Sequence, residues 1–233
     1  MAAGRDLLLA IDTAGSRCAA CLFDIGGNRV LSRGDPDIGK GHAERLMDDI
    51  ADRLREAGAG YGDLSRLAVV VGPGSFTGLR VGVAAARGLS LALKIPAVGI
   101  GTLEALAEPH ADAGVPVLAV LDAKRGELYA AFHGADGSEI AAPRAVPPEA
   151  LAGMLSPLPD GAPLLVTGSG SEIALEALAG RWAIRLASAP HPDIASVARL
   201  GARRETDHAP SPLYLRGADA KAPTREPIAR RVA

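Results

Sequence analysis

Aromatic side chains make up only 3% of this chain of 233 residues, too few for a base-stacking surface or a core of packed rings. The core must come from aliphatic and small residues, which the 48% hydrophobic content and 28 glycines supply. Charge of one sign is also missing: 25 Lys and Arg stand against 27 Asp and Glu, so no general attraction to polyanions is expected. The 2 cysteines, Cys18 and Cys21, lie in an apolar run that reads as a strand. Their side chains then point to opposite faces, which argues against a shared metal or a mutual disulfide and leaves buried, reduced thiols. The 5 histidines are isolated, with none between His42 and His110. Neither a Ser-His-Asp nor a paired-carboxylate constellation is present, so no catalytic residue and no metal ligand is assigned. The apolar stretch at residues 7–11 ends at Asp12 and is too short for an export signal or a membrane span, which predicts a cytoplasmic protein.

What is present is an ordered alternation of elements. Residues 7–11 read as a buried strand, 18–23 as a second, and 29–32 as a third, linked through Gly26-Gly27-Asn28. A helix is predicted from His42 to about residue 57, with Leu46, Met47, Ile50 and Leu54 on one apolar face. Residues 67–71 form an apolar strand, a long helix runs from about Thr77 to Leu93, and Pro96 ends it. A strand at 97–100 follows, then a helix to Ala107 capped by Thr102. This order resembles the ribonuclease H-like half of the actin, Hsp70 and sugar-kinase superfold, with other α/β layouts as alternatives. After residue 115 a weaker copy is predicted: a hairpin of 117–121 with 127–132 around Lys124-Arg125-Gly126, helices at 147–155, 171–178 and 194–203, and strands at 164–166 and 184–186. The expected domains are residues 1–107, 108–216, and a flexible tail at 217–233. The basic stretch 221–231 in that tail reads as solvated or as touching RNA.

Two places are candidates for anion contact. Asp12 closes the first strand with Thr13 and Ser16 after it, and such a turn of small residues cradles phosphate through its peptide N–H groups. The plainer reading is an Asx turn. Gly72-Pro73-Gly74-Ser75 precedes the long helix, so Gly74 permits close approach of a ligand to a helix N-terminus, although a plain strand-to-helix turn needs the same residues. The run lacks the lysine of a P-loop and the pattern of a nucleophile elbow.

The long helix itself is apolar over most of its circumference. Arg80, Arg87 and Lys94 form one charged stripe, while Val81, Val83, Ala84, Ala85, Leu89, Leu91, Ala92 and Leu93 surround it. Gly82 and Gly88 each cost a helix about 1 kcal/mol relative to alanine, which suits a second backbone passing close. Burial within this chain and coverage by a partner helix are both open readings.

Leu9-Ala10-Ile11-Asp12-Thr13, His42 with Glu44-Arg45-Leu46, the whole run from Gly72 to Arg80, Ile95-Pro96-Ala97-Val98-Gly99 and Leu103-Glu104-Ala105-Leu106 together resemble the bacterial TsaB (YeaZ) family. So do Asp122-Ala123-Lys124-Arg125-Gly126-Glu127-Leu128-Tyr129 and Pro212-Leu213-Tyr214-Leu215-Arg216. The resemblance implies a two-domain α/β fold of the actin, Hsp70 and sugar-kinase type, with ribonuclease H-like halves and mixed sheets. It implies a non-catalytic subunit that dimerises with TsaD and works with TsaE in forming N6-threonylcarbamoyladenosine at position 37 of tRNA. Thr102 and Leu106 stand where the catalytic paralogue has two metal-binding histidines. The implied partner surface comprises His42, Leu46 and Ile50 of the first helix with Ser75, Phe76, Thr77, Arg80, Gly82, Val83, Arg87 and Gly88. A homodimer is implied when TsaD is absent, and tRNA is reached mainly through the complex. No cofactor is held firmly, with ATP or ADP expected at the subunit junction near Asp12, Thr13 and Gly74. The alternative function is an ATP-dependent kinase or hydrolase of the same superfold, which needs phosphate-binding and acidic residues in the second half. Only Gly168-Ser169-Gly170 and the turn at Asp122 are available there. A protease reading has no nucleophile and base behind it.

Overall fold

The computed structural model describes residues 6–187, 189–206 and 208–216, so the basic stretch 221–231 and the tail expected at 217–233 lie outside the described residues. The first half runs β1 (Leu7–Asp12), β2 (Ala19–Asp24), β3 (Arg29–Gly34), α1 (His42–Glu56), β4 (Leu64–Gly72), α2 (Phe76–Leu93), β5 (Ala97–Gly101) and α3 (Thr102–Ala107). The second runs β6 (Val117–Lys124), β7 (Glu127–His133), β8 (Glu139–Val146), α4 (Leu151–Met154), β9 (Pro163–Thr167), α5 (Ser171–Ala177), β10 (Ala183–Leu186) and α6 (Ile194–Arg203).

Each half builds one five-stranded sheet, ordered β3-β2-β1-β4-β5 and β8-β7-β6-β9-β10. In both, the first three strands pair antiparallel and the last two join parallel. The second sheet therefore repeats the first strand for strand. This duplicated, mixed layout is that of the actin, Hsp70 and sugar-kinase superfold.

β1 is apolar on both faces because both faces are covered. Leu7, Leu9 and Ile11 meet Leu46, Ile50 and Leu54 of α1 and Val83 and Ala86 of α2. Leu8 and Ala10 point the other way, into Ile194, Val197 and Ala198 of α6. The cysteines obey the same alternation: Cys18 sits in the first cluster and Cys21 in the second, both free. Burial pushes each thiol up to about 12.

The helices closing the two halves are exchanged. α3 lays Leu103, Leu106 and Ala107 on Val117, Ala119 and Leu165 of the second sheet, while α6 covers the first. Each terminal helix thus crosses to the sheet of the other half, although Ala105 of α3 still packs with the first. Two arginines fix α6 in place. Arg199 grips Glu108 with two hydrogen bonds of 2.7 and 2.6 Å. Arg66 reaches from β4 to the carbonyls of Gly201, Ala202 and Arg204 at 3.0, 3.3 and 2.8 Å, meeting acceptors that the helix end leaves open.

Two local expectations need revision. Thr102 is the first residue of α3 rather than its cap, and its hydroxyl donates to the Pro73 carbonyl at 2.7 Å. β8 was not anticipated, because Glu139, Arg144 and Pro143 break its apolar alternation and half of its residues are exposed at the sheet edge.

Candidate docking helix and interdomain cleft

α2 starts where the Ser75 hydroxyl accepts the Gly78 N–H at 3.3 Å and stops at Lys94, whose φ of 57° turns the chain before Pro96. By length and hydropathy it is apolar enough to cross a membrane, yet one side lies on the first sheet through Leu79, Val83 and Ala86. The close approach depends on two glycines one turn apart. A Cβ on Gly78 would fall 1.9 Å from the Thr13 carbonyl oxygen, and one on Gly82 would fall 2.5 Å from Thr13 Oγ1. The Thr13 hydroxyl donates to the Gly78 carbonyl at 2.7 Å, pinning the helix to the turn after β1.

This geometry corrects part of the expected partner surface. Gly82 and Val83 face the chain's own sheet, and Leu46 and Ile50 of α1 are 1% and 0% exposed in the same cluster. None of the four is available to a partner. His42 is half-buried, its Nε2 3.1 Å from the Arg17 carbonyl. Ser75, Phe76, Thr77, Arg80, Arg87 and Gly88 are exposed, and Ala84, Leu91 and Ala92 join them. Thr77, Arg80, Ala84, Arg87, Gly88 and Leu91 recur at helical spacing and form one stripe. Leu91 is 82% exposed, and nothing lies within 4 Å of a Cβ placed on Gly88.

Tyr214, which the sequence did not mark as a site residue, joins the exposed start of this helix. Its ring centroid is 5.3 Å from that of Phe76, its hydroxyl accepts from Arg80 Nε at 3.1 Å, and the Arg80 guanidinium sits 3.7 Å from the Phe76 centroid. Only the presence of Tyr214 in a distinctive motif pointed to it.

Between the two sheets lies a cleft of about 610 Å³, lined on one side by Asp12, Gly74 and Ser75 and on the other by Asp122, Lys124 and Ser169. Of the three residues expected near a nucleotide, Asp12 and Gly74 line it. Thr13 does not, being 1% exposed with its hydroxyl committed to α2. The Asp12 carboxyl is pushed up to about 6, chiefly by burial, against the opposing hydrogen bond from the Ala14 N–H at 2.8 Å. Asp122 is held below the usual carboxylate range by Lys124, whose ammonium and N–H reach its two oxygens at 2.6 and 2.8 Å. Among the described residues, no three His, Cys, Asp or Glu side chains converge on a metal position. The places compared with metal-binding histidines hold Thr102, bonded to Pro73, and Leu106, packed under the second sheet.

Residues 36–164 match the protein-family model described as TsaD: tRNA N6-adenosine threonylcarbamoyltransferase. The Escherichia coli tRNA threonylcarbamoyladenosine biosynthesis protein TsaB is 35% identical over 135 residues, 57% of this chain and 57% of that protein. The match thus spans little more than half the length of that curated relative. An uncharacterized Mycobacterium tuberculosis protein is 34% identical over 217 residues, 92% of this chain and 93% of that protein. Among solved structures, YeaZ from Pseudomonas aeruginosa superposes with a TM-score of 0.72 at 29% identity, covering 90% of this chain and 100% of that one.

Proposed function

This chain belongs to the TsaB (YeaZ) family, and on that premise we propose that it is the non-catalytic partner of TsaD in forming N6-threonylcarbamoyladenosine on tRNA. The observation that carries this reading is the outer face of α2. A stripe containing Ala84 and Gly88 lets another helix come close, Leu91 offers apolar area, and Arg80 and Arg87 flank it with donors. The docking surface is therefore Ser75, Phe76, Thr77, Arg80, Ala84, Arg87, Gly88 and Leu91. The same face accommodates a second copy of this chain when TsaD is absent. TsaE acts on the assembled pair, tRNA is bound mainly through the complex, and the reaction takes place in the cytoplasm.

The cleft supports a binding role better than catalysis. Its Asp122 carboxylate is already neutralised by Lys124, and the Thr13 hydroxyl is turned away into a hydrogen bond. A kinase or hydrolase of this superfold needs such groups free for metal or water. ATP or ADP at the subunit junction would meet Asp12 and Gly74 from this chain.

The test is co-purification of the chain with TsaD of its own organism, followed by a tRNA modification assay with each protein omitted in turn. The expected result is a stable pair and no product without either subunit. Gly88→Leu should weaken the pair by about ten- to a hundred-fold in a calorimetric titration, as overpacking at a contact does. Full modification without this chain, or unchanged affinity in Gly88→Leu together with Leu91→Glu, would overturn the proposal.

A further inference from the structure

The segment Pro212-Leu213-Tyr214-Leu215-Arg216 lies outside the helical docking stripe and the cleft lining, yet it touches the edge of both. Its backbone is tied to the first half, where the Leu213 N–H donates to the Val71 carbonyl at 2.7 Å. The carbonyl of Leu213 passes so close to Gly72, with φ of 117°, that a Cβ there would lie 2.8 Å from it. Tyr214 then leans on the start of α2. Phe76 and Tyr214 are 47% and 46% exposed, so whatever docks at the start of α2 meets both rings directly. Two residues later Arg216 crosses to the second half, donating to the Ala123 carbonyl at 3.3 Å and pairing with Glu127. Ala123 and Glu127 flank the turn that carries Lys124, on the far wall of the cleft.

Two residues of extended chain span at most about 7 Å, so Tyr214 cannot move far without pulling on Arg216. Arg80 is the competing element. In the isolated chain its guanidinium serves Tyr214 and Phe76, and a carboxylate or ring brought by a partner competes for it.

We propose that residues 212–216 form a strap coupling the docking end of α2 to the cleft hairpin: a partner engaging Phe76 and Arg80 displaces Tyr214, and Arg216 transmits the displacement to the turn between β6 and β7. The strap rests on the docking reading above and names how that site is regulated. It gives the cleft a different shape in the pair than in the free subunit, with no partner residue inside it.

Amide hydrogen exchange of residues 123–128, followed by mass spectrometry on the isolated full chain, tests the coupling. Phe76→Ala removes a ring that does not touch the hairpin. It should nevertheless speed exchange there by about three- to ten-fold, while amides of β9 keep their rate. Tyr214→Phe deletes only the hydroxyl that Arg80 binds and should produce a smaller acceleration in the same amides. If Phe76→Ala loosens every element together, Tyr214→Phe decides alone. Hairpin exchange unchanged in Tyr214→Phe, and in Phe76→Ala where that variant keeps the wild-type rate in β9, would overturn the strap. Because the measurement needs no partner, failure of TsaD to bind would overturn the docking reading and with it the partner's role, while the coupling of Tyr214 to the hairpin within the chain is decided by the exchange rates alone.

Discussion

Replacing Gly82 and Gly88 by alanine, one at a time, separates the two sides of α2 by the sign of the effect. An alanine at 82 sets its Cβ 2.5 Å from Thr13 Oγ1 and 3.4 Å from Val69 Cγ2. Thr13 cannot turn away without releasing its 2.7 Å bond to Gly78 at a site 1% exposed. That route leaves a buried hydroxyl unpaired and costs the Gly78 carbonyl its second hydrogen bond, at about 1–3 kcal/mol. Lifting the helix instead costs a similar amount, about 1–3 kcal/mol. The two are alternative reliefs of one clash and do not add. Alanine returns about 1 kcal/mol of helix preference at either position, so this gain cancels in the comparison. Gly88→Ala should therefore raise Tm by about 2–4 °C in a chain of this size, and Gly82→Ala should melt about 2–12 °C below Gly88→Ala. Differential scanning calorimetry of the two variants beside the parent chain measures both shifts. Equal melting of the two variants would refute the claim that Gly82 is packed against this chain's own sheet.

Asp12 gives a pH test. Its carboxyl, lifted from an ordinary 3.8 to about 6, penalises the folded state while ionised. The penalty is complete above the raised value, shrinks as pH falls through it, and vanishes below the ordinary one. Asp12→Asn, which keeps the acceptor for the Ala14 N–H, should be more stable than the parent at neutral pH, with the advantage disappearing toward about pH 4 in urea titrations. Arg199→Ala leaves Glu108 partly buried without its bidentate partner, and should cost about 2–4 kcal/mol by urea denaturation. Arg199→Lys should recover less than half of that, because one ammonium cannot match both carboxylate oxygens.

The parts of the fold that were legible in the sequence are those where a single face or run decides the outcome. The unbroken apolar β1 and the stripe of Leu46, Ile50 and Leu54 on α1 required burial whatever they met. The exchange of α3 and α6 was not legible, because a short apolar helix carries no mark of which sheet it will cover. The docking stripe was only partly legible. Gly82 and Gly88 look alike as letters, yet at 3.6 residues per turn they lie about 120° apart, so no single surface can approach both closely. Thr13 shows a similar limit. Its hydroxyl suits a phosphate as well as a carbonyl, and only the placement of Gly78 beside it makes the choice.

The exchanged helices also bear on how the chain is made. Synthesis delivers β1 and β4 long before Ile194, so Leu8, Ala10, Ala68 and Val70 emerge from the ribosome with nothing to cover one face of their sheet. α3, in turn, is finished before the strands it will rest on exist. Neither half can complete its core alone. Any fragment ending before α6 carries a bare apolar face and the aggregation hazard that goes with it.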